Sequence, residues 1–200
     1  MISNRRRLLA TSSLMVPATL LSKTVSAIET EQPTSADIGY CQDMSVHHLQ
    51  ALDMCRRVLG RNTGGAVQAA ATEVLENQAM EVGQMRSWLA DWGASTVPPT
   101  TVMAWMGANQ GAGMPLAMMP GYASDEQLVA LSRLNGDAQG KRWLELMRAH
   151  HIGGVMMASE AKNLASSAKV VRLANFQVQA QNFEISQYDL LLSGPYAFVE

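Results

Sequence analysis

The feature that most constrains this chain is a gapless internal repeat. Shifting the sequence by 103 residues lays Met44 on Met147, His47 on His150, His48 on His151 and Met54 on Met157. The same shift lays Ala71 on Ala174, Gln78 on Gln181, Glu81 on Glu184 and Gln84 on Gln187. All 4 histidines of the chain fall in this register. Two polar clusters repeated at one fixed separation mark a single structural unit used twice.

Each copy reads as two helices. Tyr40 to Leu59 places apolar residues at helical spacing and stops at Gly60, with Gly64-Gly65 as the turn. Val67 to Trp92 follows with Val67, Ala71, Val74, Met85 and Leu89 on one stripe. The second copy gives Arg142 to Leu164, a turn at Ala165-Ser166-Ser167, and Val170 to Leu192. Strand signals are essentially absent. Long helices joined in pairs by short turns predict an all-α four-helix bundle made of two repeated helical hairpins.

The expected organisation is a single tandem-repeat domain over 37–192, between an N-terminal stretch 28–36 read as flexible and a C-terminal tail 193–200. Repeat one spans 37–92, a Met/Pro/Gly linker 93–123, and a short helix with repeat two 124–192. Ser124 and Gln127 form a capping box that opens the short helix. Met80, Met85 and Met156 read as core filler. The linker methionines, Met103, Met106, Met114, Met118 and Met119, lack periodicity, so packing does not readily account for them and a soft-metal capture segment is the competing reading.

Residues 1–27 read as a cleaved export signal. Arg5, Arg6 and Arg7 precede an apolar run from Leu8 to Leu21, and Val25-Ser26-Ala27 offers a cleavage site. The run is broken by Pro17 and is too short to span a bilayer. Asn4-Arg5-Arg6-Arg7-Leu8-Leu9 also fits a twin-arginine signal, an ordinary basic leader being the alternative. Losing its 4 basic and no acidic groups takes the net charge from −2 to −6. Such a chain makes a poor nucleic-acid partner, and no other segment suits stable membrane insertion. The expected location is the periplasm, the cell envelope or outside the cell.

The donor types carry the chemistry. Met44, His47 and Met54 share a helical stripe, His48 lies about 100° round the helix, and Met147, His150, His151 and Met157 repeat the pattern. Imidazole nitrogen with thioether sulfur suits Cu(I), Cu(II) or Zn far better than Ca or Mg. Glu81 and Glu184 lie in apolar stripes, where a carboxylate needs a partner. Each is either a direct ligand or an acceptor that orients a ligating histidine, and Gln78 and Gln181 complete the polar network behind them. Cys41 and Cys55, 14 residues apart on one helix, are separated by roughly 21 Å, too far for a disulfide. They are buried apolar groups, soft ligands or intermolecular links.

At these residues the chain resembles the bacterial domain-of-unknown-function 305 family. The stretches DIGYCQDMSVHHLQALDM, ENQAMEVGQMRSWL, MPGYASDEQLVAL and WLELMRAHHIGGVMMA carry the resemblance across Asp37 to about Leu192. It implies a secreted or periplasmic ferritin-like four-helix protein, with copper binding and copper tolerance among its members. The family's His-His and Met positions match Met44, His47, His48, Met54, Met147, His150, His151 and Met157, and its glutamates match Glu81 and Glu184. Three positions depart from the pattern: Gln139-Gly140 replaces an aromatic-Asp pair, Tyr188 stands where Met85 repeats, and Gly154 where Ala51 repeats. The two halves are therefore not expected to be equivalent, the first binding more tightly or holding a differently shaped site.

The leading expectation is an exported copper-binding protein for storage, buffering or tolerance. Exposed methionines would suit transient docking to another copper protein. A non-metal envelope module is the alternative. A ferritin-like metal oxidase fits less well, because di-iron bundles use Glu-x-x-His and the chain contains none. No nucleophile with a partnered base stands out, so no catalytic residue is expected.

Overall fold

The computed structural model describes residues 32–97, 100–107 and 111–199. The proposed export signal, 1–27, lies outside them. The described chain is predominantly helical. Five α-helices, α1 (Ser35–Val58), α2 (Gly65–Asp91), α3 (Asp125–Arg133), α4 (Gly136–Leu164) and α5 (Ala168–Ser193), accompany one two-stranded ribbon. The ribbon pairs β1 (Thr101–Val102) with β2 (Met114–Pro115), antiparallel, and a 3₁₀ turn over Leu116–Met118 follows it.

Local chemistry sets the helix starts. α1 begins at Ser35, inside the stretch expected to be flexible, because Thr34 and Asp37 close a capping box there. Ser124 and Gln127 close the corresponding box on α3. α4 starts at Gly136 rather than Arg142, and its first turns bury Gln139 and Gly140.

α1 packs against α2 and α4, and α4 packs against α5. α1 is buried on most of its circumference, including Asp37, Asp43, Ser45, His47, His48 and Gln50. Buried polar groups require partners, and several of these tie other segments to the helix. Asp37 accepts from the Ser167 amide at 2.9 Å and the Ser166 hydroxyl at 3.0 Å, so it caps the start of α5. Asp43 accepts from the Met103 amide at 2.6 Å and Trp105 Nε1 at 2.8 Å. Gln50 exchanges two bonds with the Ala123 backbone at 2.7 and 2.8 Å. The linker is thus stitched along α1.

Two core clusters result. One gathers Tyr40, Cys41, Met44, Met85 and Leu89 with Met103, Met106, Met119 and Met157. The other gathers Met54, Cys55, Val74, Trp143, Met147 and Tyr188. Packing therefore does account for four of the five linker methionines, Met114 lying partly buried against the first cluster, which corrects the sequence expectation; Met118 is 69% exposed. The core-filler reading holds for Met85 and fails for Met80 and Met156, which are 67% and 40% exposed. These two sit off the buried stripes of their helices. Among the described residues no helix is long and apolar enough to cross a membrane.

Candidate metal centre

The four histidines occupy the middle of α1 and α4, and all are fully buried. His47 and His150 stack across the helix contact, with ring centroids 3.6 Å apart and planes 26° apart. His150 Nε2 lies 2.9 Å from the His47 carbonyl oxygen. The Pro120-Gly121 turn of the linker lies against α4 here: a Cβ on Gly121 would stand 2.7 Å from His150 Cα, and one on Gly153 1.9 Å from the Pro120 oxygen. Neither His47 ring nitrogen reaches a partner in hydrogen-bond geometry, although the Pro120 carbonyl is near enough to favour the protonated ring slightly. Burial outweighs this and holds both His47 and His150 well below the usual histidine range, so both rings are neutral.

His48 and His151 turn towards α2 and α5. His48 Nε2 lies 2.7 Å from Glu81 Oε2, and His151 Nε2 lies 2.6 Å from Glu184 Oε2. Burial raises the Glu81 carboxyl, but the hydrogen bonds from His48 and Gln177 outweigh it, leaving the group below its usual value. A shallow cleft between α2 and α5 is lined by both glutamates together with Gln78, Gln181, Phe176 and Gln177.

The structure brings together each expected histidine–glutamate pair and redistributes the methionines. Met44, Met54, Met147 and Met157 are fully buried, but Met44 shares a cluster with Met157, and Met54 with Met147. Each cluster therefore draws on both sequence copies. Gln78 and Gln181 are buried beside the pairs, yet their Oε1 atoms have no partner. Cys41 and Cys55 are free, and burial pushes both thiols up to about 12. Among the described residues no three His, Cys, Asp or Glu side chains converge as a metal cluster.

Two contributors escaped the sequence reading. Gln177 donates to Glu81 Oε2 at 2.6 Å and accepts from the Tyr40 hydroxyl. Its repeat counterpart is Val74 and that of Tyr40 is Trp143. A lone glutamine in an apolar stripe, where the other copy has valine, was the available signal. The second pair instead has Tyr188, whose ring meets His151 edge-on at 5.4 Å and whose buried hydroxyl has no partner. Gly154 also finds its reason: a Cβ there would lie 2.2 Å from Gln181 Oε1.

Fold and site together define a helical protein with two repeat-related contacts, each between a fully buried histidine and a part-buried glutamate. The family model named domain of unknown function (DUF305) matches residues 37–192, and the chain belongs to that family. A DUF305 protein of Streptomyces coelicolor is 35% identical, with a TM-score of 0.73 over 80% of this chain and 93% of that one. A DUF305 fragment from Deinococcus radiodurans is 28% identical, with a TM-score of 0.67 over 80% and 97%. CopM in its Cu(I)-bound form shares the fold at 22% identity, with a TM-score of 0.62 over 80% and 97%. Comparison with curated proteins returned no match.

Proposed function

We propose that this is an exported copper-binding protein that stores, buffers or detoxifies the metal in the cell envelope, built as a four-helix bundle of two repeated hairpins. The observation that carries the reading is the pair of His–Glu contacts, 2.7 and 2.6 Å long, each made by a fully buried histidine. Neutral imidazole and thioether suit copper, with zinc the second choice. Because no cluster of three His, Cys, Asp or Glu side chains forms among the described residues, a bound ion draws on methionine as well. His47, His48, His150 and His151 with Met44, Met54, Met147 and Met157 supply the donors. Glu81 and Glu184 serve as ligands or orient the rings, and Gln78 and Gln181 line the same cleft. Copper held this way is buffered at low free concentration; the residues bind and exclude water, and no catalytic step is assigned to them.

CopM supports the choice of metal, since its structures include Cu(I)-, Cu(II)- and Ag-bound forms. The Streptomyces coelicolor relative, described as a candidate secreted protein, supports export, as do the basic and apolar residues of 1–27. Exposed Met118 and Met80 suit transient docking to a copper-carrying partner. Metal analysis of untagged protein tests the reading. Copper should copurify and rebind after removal, and replacing His47 with His48, or His150 with His151, should abolish most of that binding. Unchanged copper content in both double variants refutes it.

A further inference from the structure

We propose that Nδ1 of His48 and His151 is the atom offered to the metal, and that Glu81 and Glu184 are positioning residues rather than ligands. The inference rests on the metal-binding reading above and assigns the donor atoms within it.

A carbonyl oxygen only accepts, so His150 Nε2, 2.9 Å from the His47 carbonyl, carries a hydrogen. A carboxylate likewise only accepts. Glu81 Oε2 therefore takes the Nε2 hydrogen of His48 at 2.7 Å and an amide hydrogen of Gln177 at 2.6 Å. The Tyr40 hydroxyl donates to Gln177 Oε1, which fixes the amide with its nitrogen towards Glu81. The Gln177 amide nitrogen also lies 3.3 Å from His48 Nε2; with both atoms carrying hydrogen, this is proximity and not a bond. His151 Nε2 gives its hydrogen to Glu184 Oε2 at 2.6 Å in the same way.

A neutral ring with hydrogen on Nε2 bears its lone pair on Nδ1. The Nδ1 atoms of His48, His150 and His151 are all buried and have no hydrogen-bond partner. A buried acceptor without a partner is destabilising, and its recurrence in both copies calls for an occupant. Were the metal to sit between Glu81 Oε2 and His48 Nε2, or between Glu184 Oε2 and His151 Nε2, it would have to displace the short hydrogen bond that joins each pair. With Nδ1 as donor, those bonds stay intact and fix tautomer and ring orientation. The brace from Tyr40 and Gln177 exists at the first pair alone, since Trp143 and Val74 occupy the equivalent places.

Long-range ¹H–¹⁵N NMR of histidine-labelled protein, titrated with Ag(I), reads this directly. In the metal-free protein His48 and His151 should both carry hydrogen on Nε2, and Ag(I) should shift their Nδ1 resonances while the Nε2 hydrogen persists. Loss of the Nε2 hydrogen on metal addition, or hydrogen on Nδ1 beforehand, overturns the inference and leaves metal binding standing. No histidine response to Ag(I) at all overturns the metal reading itself. Glu81→Gln retains an acceptor for Nε2, so Ag(I) affinity should fall about 10- to 100-fold with Nδ1 still the responding atom. Gln177→Val should weaken the His48 response and leave that of His151 unchanged, a contrast that general destabilisation would not produce.

Discussion

Asp43 shows what one buried carboxylate does for the linker. Its Oδ2 holds the Met103 amide and the Trp105 indole, while its Oδ1 has no partner. The bond to Met103 matters because that residue sits at φ 61°, the left-handed region that costs a side-chain-bearing residue about 1–2 kcal/mol. Burial pushes the Asp43 carboxyl up to about 6, despite both hydrogen bonds. The folded protein therefore holds a proton that the unfolded chain releases near pH 4. Ionisation costs stability as pH rises from about 4 to about 6, and that cost persists at neutral pH. Asp43→Asn keeps an acceptor for both donors and removes the titration. Its stability relative to the parent should improve by about 1–3 kcal/mol between pH 4 and pH 7, measured by urea unfolding at each pH. A constant difference across that range would contradict the account. Neither Asp43 nor Gln50 was legible as a linker anchor, because both bond largely to backbone atoms of a loop, which leave no side-chain signature.

At the scale of the element, α4 is shaped by what must approach it. Gly→Ala in a helix interior ordinarily stabilises by about 1 kcal/mol. Gly83, on the exposed face of α2 with open space around it, should follow that rule. Gly153 should reverse it, since its Cβ would fall 1.9 Å from the Pro120 oxygen. That is backbone, so the linker turn must lift off His150, and Gly153→Ala should cost about 1–3 kcal/mol. Thermal unfolding of the two variants side by side checks this; a stabilised Gly153→Ala would show that the turn does not press on α4. The helices themselves were readable from periodicity, and the α3 start from Ser124 and Gln127. α1 and α4 start earlier than their apolar stripes indicate, the first because the Thr34–Asp37 capping box precedes the stripe. Methionine carries no phase of its own, so the exposed face of Met80 follows only from its place relative to Val74, Gln78, Val82 and Met85.

Across the whole molecule, the repeat register reached furthest. One offset aligns both histidine pairs with both glutamates, and the structure closes both contacts. What the register could not convey is that α1 packs on α4, so that Met44 joins Met157 and Met54 joins Met147 in the cores. That packing also buries His47 against His150, with a consequence for the metal-free protein. Burial holds both rings well below the usual histidine range, whereas unfolded histidine takes up a proton near pH 6.5. Below that pH the unfolded state binds protons that the folded state refuses, so stability falls with acidification by up to about 1.4 kcal/mol per pH unit for each ring. Asp43 works in the opposite direction between about pH 4 and 6, where it offsets about one ring. The loss should therefore set in near pH 6.5 and continue to pH 5 at roughly the slope of one ring, and Glu81, held below its usual value, adds to it only near pH 4. Urea midpoints of metal-free protein from pH 8 to 5 should fall once pH drops below about 6.5, and His150→Gln should remove part of the slope. Midpoints that stay level to pH 5 in the parent would mean that the stacked pair takes up protons without cost, contrary to its complete burial.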